Sequence, residues 1–368
     1  MNDRSSLPRR GRRSGRGTDC WSSPYRRSRG GFTYEPCCAV VAGGSCASSA
    51  RRPTEEVRAP AFLIVGTPRS GTTLVQRLAC ELPGVRTPPE THFFGYYALD
   101  LVRRRRFPIS GDVLRDELDA FANMPKSKEL GLDIVAWHGM LAGRAERPAD
   151  MFATLVEVLV GQADTVGEKS PEHLLWWRPI ARAFPALRFI AVVRDPRGVV
   201  SSSRAVWGDA GGTVAVRAER WNADQREVSR ALRSLGSERV LVIRYEDVVS
   251  DESAASAAIA AYLGVPARTA AVAGRSPAAG IVLPREWWKG RTFEPVTTER
   301  VEAWRRDLSV EDADTVGAIC RHGMRRFGYS STDTRRPVAP AGLPTRAQRW
   351  RFRAARRRHL ARINRVIL

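Results

Sequence analysis

A chain of 368 residues, 43% of them hydrophobic, can form one large or two ordinary domains with a sizeable core. No apolar run approaches the roughly 20 residues of a membrane span. The formal charge of +21 looks like that of a nucleic-acid binder, but residues 1–58 carry +7 and residues 335–368 carry +11, leaving +3 for 59–334, as expected of an ordinary globular body between basic tails.

Residues 1–58 are rich in Arg, Ser and Gly without helical or strand periodicity, and such a composition cannot bury enough apolar surface to offset ordering. They read as a disordered tail with no apolar segment of the kind a secretory signal needs. The tail also holds four of the six cysteines, Cys20, Cys37, Cys38 and Cys46. With no C-x-x-C pair and five scattered histidines, neither a disulfide framework nor a zinc site is expected.

Ala61 to Val65 reads as a buried strand that runs into Gly66-Thr67-Pro68-Arg69-Ser70-Gly71-Thr72-Thr73 and then a helix to Leu78. Such a turn aims several backbone N–H groups and the positive end of the helix dipole at one point, forming an anion cradle. Its spacing is that of a nucleotide P-loop, G-x-x-x-x-G-K-[ST], except that Thr72 stands in the lysine slot. An NTPase without that lysine loses its contact to the β- and γ-phosphates. The bland alternative is a strand, a glycine turn and a helix start with no ligand.

Beyond this helix, Pro83-Gly84-Val85-Arg86-Thr87-Pro88-Pro89 is kept extended by proline and delivers Glu90-Thr91-His92-Phe93-Phe94. Arg103 to Arg106 and helical patterns near 111–122 and 148–161 follow, in a segment suited to acceptor-binding variation. Val166-Gly167-Glu168-Lys169-Ser170-Pro171 opens a helix through Phe184, with Ser170 as N-cap and Pro171 at N1. Leu187 to Val193 is a second apolar strand, ending in Arg194-Asp195-Pro196-Arg197 before a helix with Ser201, Ser202 and Ser203. A long amphipathic helix, about Val214 to Leu235, leads to a third strand, Val240 to Ile243, closed by Arg244-Tyr245-Glu246-Asp247. Helices near 251–263, 298–308 and 311–326 complete the body.

Strands alternating with helices of a dozen residues or more argue for the α/β class, a P-loop-containing three-layer α/β/α fold around a central parallel sheet. The organisation is a tail 1–58, one domain 59–334 and a basic tail 335–368. The Arg-rich end of the last reads as an amphipathic helix on an anionic membrane or nucleic acid, or equally as a solvated tail or a helix packed on the body.

Arg194 at a strand's C-terminal edge and Ser202 two turns into the next helix can converge on one phosphate, the first with bidentate charged bonds, the second as a neutral donor. Alone, Arg-Asp-Pro is also an ordinary surface turn with a capping Asp. Joined to Pro68-Arg69-Ser70-Gly71-Thr72-Thr73, however, this R-D-P-x-x-x-x-x-S arrangement resembles the 3′-phosphate site and phosphosulfate loop of the sulfotransferases that use 3′-phosphoadenosine 5′-phosphosulfate (PAPS). The look is nearest to the carbohydrate and tyrosylprotein types and their bacterial relatives, and it covers about Ala61 to Tyr329 in organisation. The resemblance implies PAPS as donor co-substrate, with Arg69, Ser70, Gly71, Thr72 and Thr73 at its 5′ end, Arg194 and Ser202 at its 3′-phosphate, and no required metal. It implies a hydroxyl acceptor: a glycan, a glycolipid, a tyrosine or a small metabolite.

Glu90-Thr91-His92-Phe93-Phe94 is similar to the E-x-H-F-F segment of the glycosaminoglycan sulfotransferases, which implies Glu90 as the catalytic base. His92 is the runner-up, because the cytosolic steroid and phenol enzymes use a His; without the resemblance Glu90 is a solvated loop carboxylate. Lys169 matches a lysine that in related enzymes reaches the phosphosulfate or acceptor. Lys289-Gly290-Arg291, after Trp287-Trp288, resembles the R-K-G loop that closes over the 3′-phosphate, with Trp288 where that pattern has Arg and Arg291 as the replacement charge. Lysine is rare: of 60 Lys and Arg only Lys126, Lys128, Lys169 and Lys289 are lysines, which marks sites that need a compact ammonium. Trp176, Trp177, Trp287 and Trp288 are candidates for stacking on a sugar or aryl acceptor, with buried packing as the alternative.

Two other classes compete. A P-loop kinase is opposed by Thr72 and by the lack of an acidic Mg²⁺ ligand after the strand at 187–193. A non-enzymatic basic protein binding nucleic acid or membrane is the third reading. The expected location is cytoplasmic, or peripheral at the inner membrane surface through the C-terminal tail, with nucleic acid not expected as a partner.

Overall fold

The computed structural model describes residues 58–268, 280–330 and 346–368. The tail expected to be disordered lies outside the described residues up to position 57. The chain begins with β1 (Phe62–Gly66), α1 (Thr72–Cys80), β2 (Val85–Arg86), α2 (Ala98–Arg104), β3 (Ile109–Ser110), α3 (Gly111–Ala122), α4 (Ile134–Met140), β4 (Arg144–Ala145) and α5 (Pro148–Val160). It continues with β5 (Thr165–Lys169), α6 (Trp177–Ala183), β6 (Arg188–Val193), α7 (Pro196–Trp207), α8 (Val214–Leu235), β7 (Val240–Arg244), α9 (Tyr245–Ser250) and α10 (Glu252–Leu263). Last come α11 (Trp304–Asp307), α12 (Val310–Arg326) and α13 (Arg346–Asn364).

Five parallel strands form the central sheet in the order β2-β5-β1-β6-β7, and β3 pairs with β4 in a separate antiparallel ribbon. In β1 every residue is buried, and alternation along the strand sends Leu63 and Val65 to one core cluster and Phe62 and Ile64 to the other. The first cluster holds Phe93, Phe152 and Trp221, from the segment after β2, α5 and α8; the second holds Val75, Leu78, Val248 and Ile259, from α1, α9 and α10. That is the three-layer arrangement, and it brings the C-terminal ends of β1, β5 and β6 together on one edge, where ligands of open α/β sheets bind.

The strands expected from apolar runs are β1, β6 and β7. The other two have no such run: β2 has two residues, and β5 buries Glu168 and Lys169 in place of apolar side chains. The helix expected from Ser170 through Phe184 is instead a 3₁₀ turn, Pro171–Trp176, followed by α6. Ser170 does stand at the N-cap position of the 3₁₀ turn with Pro171 at N1, but its hydroxyl makes no capping bond and is bonded instead to Glu168 Oε1 at 2.6 Å. The helix expected near 298–308 is a 3₁₀ turn at Thr298–Arg300 and the four-residue α11.

Trp176 and Trp177 are 2% and 3% exposed, and Trp177 Nε1 donates to Glu227, so both pack in the core and neither can stack on an acceptor. Cys80 and Cys320 are buried free thiols. The Arg-rich C-terminal segment folds as α13 against the body, with Ile363 and Leu368 buried, Arg356 Nη2 donating to Asp224 at 2.5 Å and Arg353 3.5 Å from Glu219. Among the described residues no helix is long and apolar enough to cross a membrane.

Gly167 pairs in register with Phe62, and a Cβ there would stand 2.3 Å from the Phe62 ring. Gly167→Ala is therefore expected to destabilise the fold by about 1–3 kcal/mol through overpacking. Urea unfolding checks this as a lower midpoint with an unchanged slope.

Candidate functional site

The cradle forms because β1 and β6 approach closely at their ends: a Cβ on Gly66 would lie 2.5 Å from Val192 O. The turn then needs two left-handed residues, Arg69 with φ 75° and Gly71 with φ 91°. Gly71 is also packed under Tyr245, whose Cδ2 would be 2.4 Å from an added Cβ. Arg69 pays for its own backbone conformation, about 1–2 kcal/mol, by placing its side chain across to α7, where Nε donates to Ser202 Oγ at 3.1 Å.

Arg194, at the end of β6, donates from Nη1 to Arg69 O at 3.3 Å and from Nη2 to Arg300 O at 2.8 Å, with its guanidinium 4.1 Å from the Tyr245 ring centroid. Behind it, α8 buttresses the edge: Trp221 Nε1 donates to Arg194 O at 3.0 Å, and Gln225 Nε2 to Thr67 Oγ1 at 3.1 Å. The cradle and the Arg194–Ser202 pair thus adjoin, bridged by Arg69. Burial, and then the charge of Arg194, lowers the Arg69 guanidinium to about 10.

These residues fit a phosphorylated nucleotide. Ser70 Oγ and Arg194 Nε are buried without a hydrogen-bond partner. Gly198 leaves Arg194 uncovered, since a Cβ there would come within 3.0 Å of Nε. The first amides of α1 have no intrahelical partner. The cavity of about 920 Å³ that Arg194 and the start of α1 share with Glu90, His92 and Lys289 is of the size ligand sites occupy.

Glu90 reaches the cavity on a segment tied down at both ends. Gln76 Nε2 donates to Thr87 Oγ1 and to Pro88 O, both at 2.9 Å. Downstream, Glu168 Oε1 accepts from Thr91 N at 3.1 Å and Thr91 Oγ1 at 2.9 Å, and Ser170 Oγ accepts from His92 N at 3.0 Å. His173 Nδ1 lies 3.0 Å from Glu168 Oε2, close but outside hydrogen-bond alignment. His92 itself adopts φ 54°, which turns the chain into the short helical segment Phe93–Tyr97.

Glu90 Oε1 accepts from two ammonium groups, Lys169 Nζ and, at 2.6 Å, Lys289 Nζ. Its Oε2 faces His92 Nε2 at 3.3 Å, and His92 Nδ1 is bonded to Glu172 Oε1. Burial alone would raise the Glu90 carboxyl, but Lys169 and Lys289 outweigh it and hold Glu90 well below the usual carboxylate range. Lys169 has no exposed surface, reaches Thr73 Oγ1 at 3.3 Å, and is lowered by burial to about 8 despite Glu90. Lys289 goes the other way: burial lowers it, but Glu90 and a second carboxylate, Glu286, raise it above the ordinary lysine value. Glu90, His92 and Glu172 converge within 4.8 Å, a spacing that can hold a cation, yet the two ammoniums on Glu90 already compensate the charge.

The structure therefore gathers Arg69, Ser70, Gly71, Thr72, Thr73, Glu90, His92, Lys169, Arg194 and Ser202 at one sheet edge, as the sequence spacing implies. Lys289 is the exception. It was expected over the 3′-phosphate, but two carboxylates draw its ammonium to Glu90 and Glu286 instead, while Gly290 and Arg291 are exposed, Arg291 on the cavity wall. Sequence reasoning missed Glu168, Glu172, Glu286 and Tyr245; the only signals were acidic residues in the same motifs as Lys169 and Lys289.

A family model described as the sulfotransferase family matches residues 60–269. A search of curated proteins returned no match. Among solved structures, the sulfotransferase domain of the Synechococcus PCC 7002 olefin synthase is similar at 21% identity over 76% of this chain and 98% of that domain, with a TM-score of 0.52, and shares the fold. The sulfotransferase domain from the curacin biosynthetic pathway matches at 16% identity over 74% and 99%, TM-score 0.49. A sulfotransferase from Alicyclobacillus acidocaldarius matches at 19% over 73% and 94%, TM-score 0.41.

Because Lys169 titrates at about 8, its positive charge at the cradle is present below that pH and lost above it. Affinity for adenosine 3′,5′-bisphosphate is expected to fall roughly tenfold, about 1.4 kcal/mol, between pH 7 and 9.5. In Lys169→Met the affinity is weaker and flat over that range, a comparison for titration calorimetry.

Proposed function

The chain belongs to the sulfotransferase family and is a PAPS-dependent sulfotransferase, and from that premise we propose which of its residues hold the donor and which take the acceptor's proton. When bound, PAPS supplies a sulfuryl group on a phosphate leaving group for displacement by a hydroxyl. Arg194 and Ser202 hold the 3′-phosphate. Arg69, Ser70 and the amides of Gly71 to Thr73 hold the 5′-phosphosulfate. The observation that carries this assignment is the adjoining pair of guanidiniums, Arg69 and Arg194, neither in an ion pair among the described residues, beside the unpartnered Ser70 Oγ and Arg194 Nε.

Lys169, at Thr73 and Glu90, offsets negative charge that develops on the 5′ side. Glu90 takes the acceptor proton at Oε2, the oxygen not held by lysine, with His92 as second candidate at 3.3 Å. A phosphotransferase fits less well, since β6 ends in Arg194 instead of an acidic metal ligand.

For the acceptor the reading is a sugar hydroxyl. It is supported by Trp287, 72% exposed, and Trp288, ring centroids 5.9 Å apart on the cavity wall with Tyr96, faces of the kind that stack on sugars. The C-terminal helix is proposed to contact an anionic membrane surface. Its outer face exposes Arg351, Arg357, Arg358 and Arg362, flanked by Trp350 at 69% and Ile367 at 85% exposure, with no acidic residue from 335 to 368.

Arg194→Ala is expected to weaken adenosine 3′,5′-bisphosphate binding roughly 30- to 100-fold, while Glu90→Gln leaves it within about threefold and lowers turnover of labelled PAPS on a glycan panel by a factor on the order of 10² or more. Full affinity in the first variant removes the 3′-phosphate assignment; full turnover in the second removes Glu90 as base. Vesicles of phosphatidylglycerol in phosphatidylcholine should sediment the wild type in a salt-sensitive way, and phosphatidylcholine alone should not. Combining Arg351→Glu, Arg357→Glu and Arg358→Glu should abolish this, at ~1 kcal/mol per arginine near the surface; unchanged sedimentation sinks the membrane reading.

A further inference from the structure

A carboxylate pinned by two ammoniums is a poor final resting place for a hydroxyl proton. Both lysines bond Glu90 Oε1 and hold its carboxyl well below the usual range. Oε2 faces His92 Nε2 at 3.3 Å. On the far side of the ring, Nδ1 is bonded to Glu172 Oε1. Both facing groups are carboxylates and can only accept, but only the Nδ1–Glu172 contact is a hydrogen bond, so a neutral imidazole carries its proton on Nδ1 and turns the Nε2 lone pair toward Glu90.

We propose that Glu172 is a positioning residue that fixes His92 in the Nδ1–H tautomer, so that the proton taken from the acceptor by Glu90 passes on to His92 Nε2. The inference rests on Glu90 as base. The steps balance: the acceptor O–H bond breaks as Glu90 Oε2–H forms, and that bond then breaks as His92 Nε2–H forms. The imidazolium that results lies between two carboxylates, Glu90 and Glu172.

Three features of the surroundings support a held geometry. His92 N donates to Ser170 Oγ at 3.0 Å, which fixes the backbone of the ring-bearing residue. Tyr96 packs edge-on to the imidazole, with centroids 5.3 Å apart. Glu172 stands at the first turn of the 3₁₀ segment Pro171–Trp176 and crosses Gly95 so closely that a Cβ there would be 2.4 Å from Glu172 Cγ. Gly95 therefore clears the path by which Glu172 reaches the ring.

Glu172→Gln keeps the shape and removes the charge. The expected result is turnover lowered by a factor on the order of 10² to 10⁴, the range in which general acid–base groups act. Affinity for adenosine 3′,5′-bisphosphate should stay within about threefold. Nitrogen NMR of the enzyme without added nucleotide should show His92 as the Nδ1–H tautomer in the wild type and a mixture in Glu172→Gln. Gly95→Ala changes no charge but pushes Glu172 off the ring, and should shift the tautomer the same way. Wild-type turnover in Glu172→Gln, or an Nε2–H tautomer in the wild type, overturns the proposal. Full turnover in Glu90→Gln would instead remove the base on which the relay depends, and the NMR result would still decide what Glu172 does to His92.

Discussion

The buried contact between Lys169 and Glu90 is the constraint on which the rest of the site depends. An ammonium with no exposed surface costs several kcal/mol unless it is paired. Its partner is 79 residues away in sequence, so the pair forms only if the sheet delivers both ends. Parallel pairing of β5 with β1 brings Lys169 to the sheet edge beside the cradle. Gln76 and Glu168 then hold the segment that carries Glu90 within reach of it. Removing Glu90 would leave the Lys169 ammonium a lone buried charge, whereas removing Lys169 leaves Glu90 its bond to Lys289, so the pair is a stability element as well as a chemical one.

Arg194 shows the opposite solution to a buried cation. Its guanidinium is bonded to backbone carbonyls and covered by an aromatic ring, and among the described residues no carboxylate pairs with it. Carbonyls and a π face satisfy donors without cancelling charge. Positive potential is therefore retained where Arg69 adjoins it, and the cost appears as the lowered Arg69 guanidinium. One edge of the sheet thus carries a neutralised half, Lys169 with Glu90, and a half that keeps its charge for an anion. Sulfuryl transfer needs both, a held proton acceptor and a held polyanion.

The proposed donor half has local signals. A strand, eight residues with glycine at the right places and a helix start are read within one stretch, and Arg194 and Ser202 are separated by two helical turns. The neutralised half is made of long-range pairs that no window contains: Lys289 reaches Glu90 across 199 residues. β5 escaped for a related reason, since it buries Glu168 and Lys169 for the site and so lacks the apolar run by which a strand is recognised. Ser170 holds the N-cap position the sequence indicates, but its hydroxyl is committed to Glu168 and His92 and makes no cap bond. The scarcity of lysine was the one compositional signal that crossed these distances. Lys126 also lines the cavity, so three of the four lysines stand at the site.

The family match ends at residue 269, while Lys289, Glu286 and the exposed Trp287 lie beyond it. The matched part contains the whole proposed donor site, and also Glu90, His92 and Lys169. What the later segment adds is a second ammonium on the proposed base and, from Trp287 and Trp288, aromatic rings on the wall of the cavity. A donor shared across a family constrains the first set of residues, because the same phosphates must be met in each member. An acceptor that differs between members puts no such constraint on the second. The clamp on Glu90 therefore couples the two: the same turn that carries the exposed Trp287 on the cavity wall sets, through Lys289, how strongly Glu90 holds a proton.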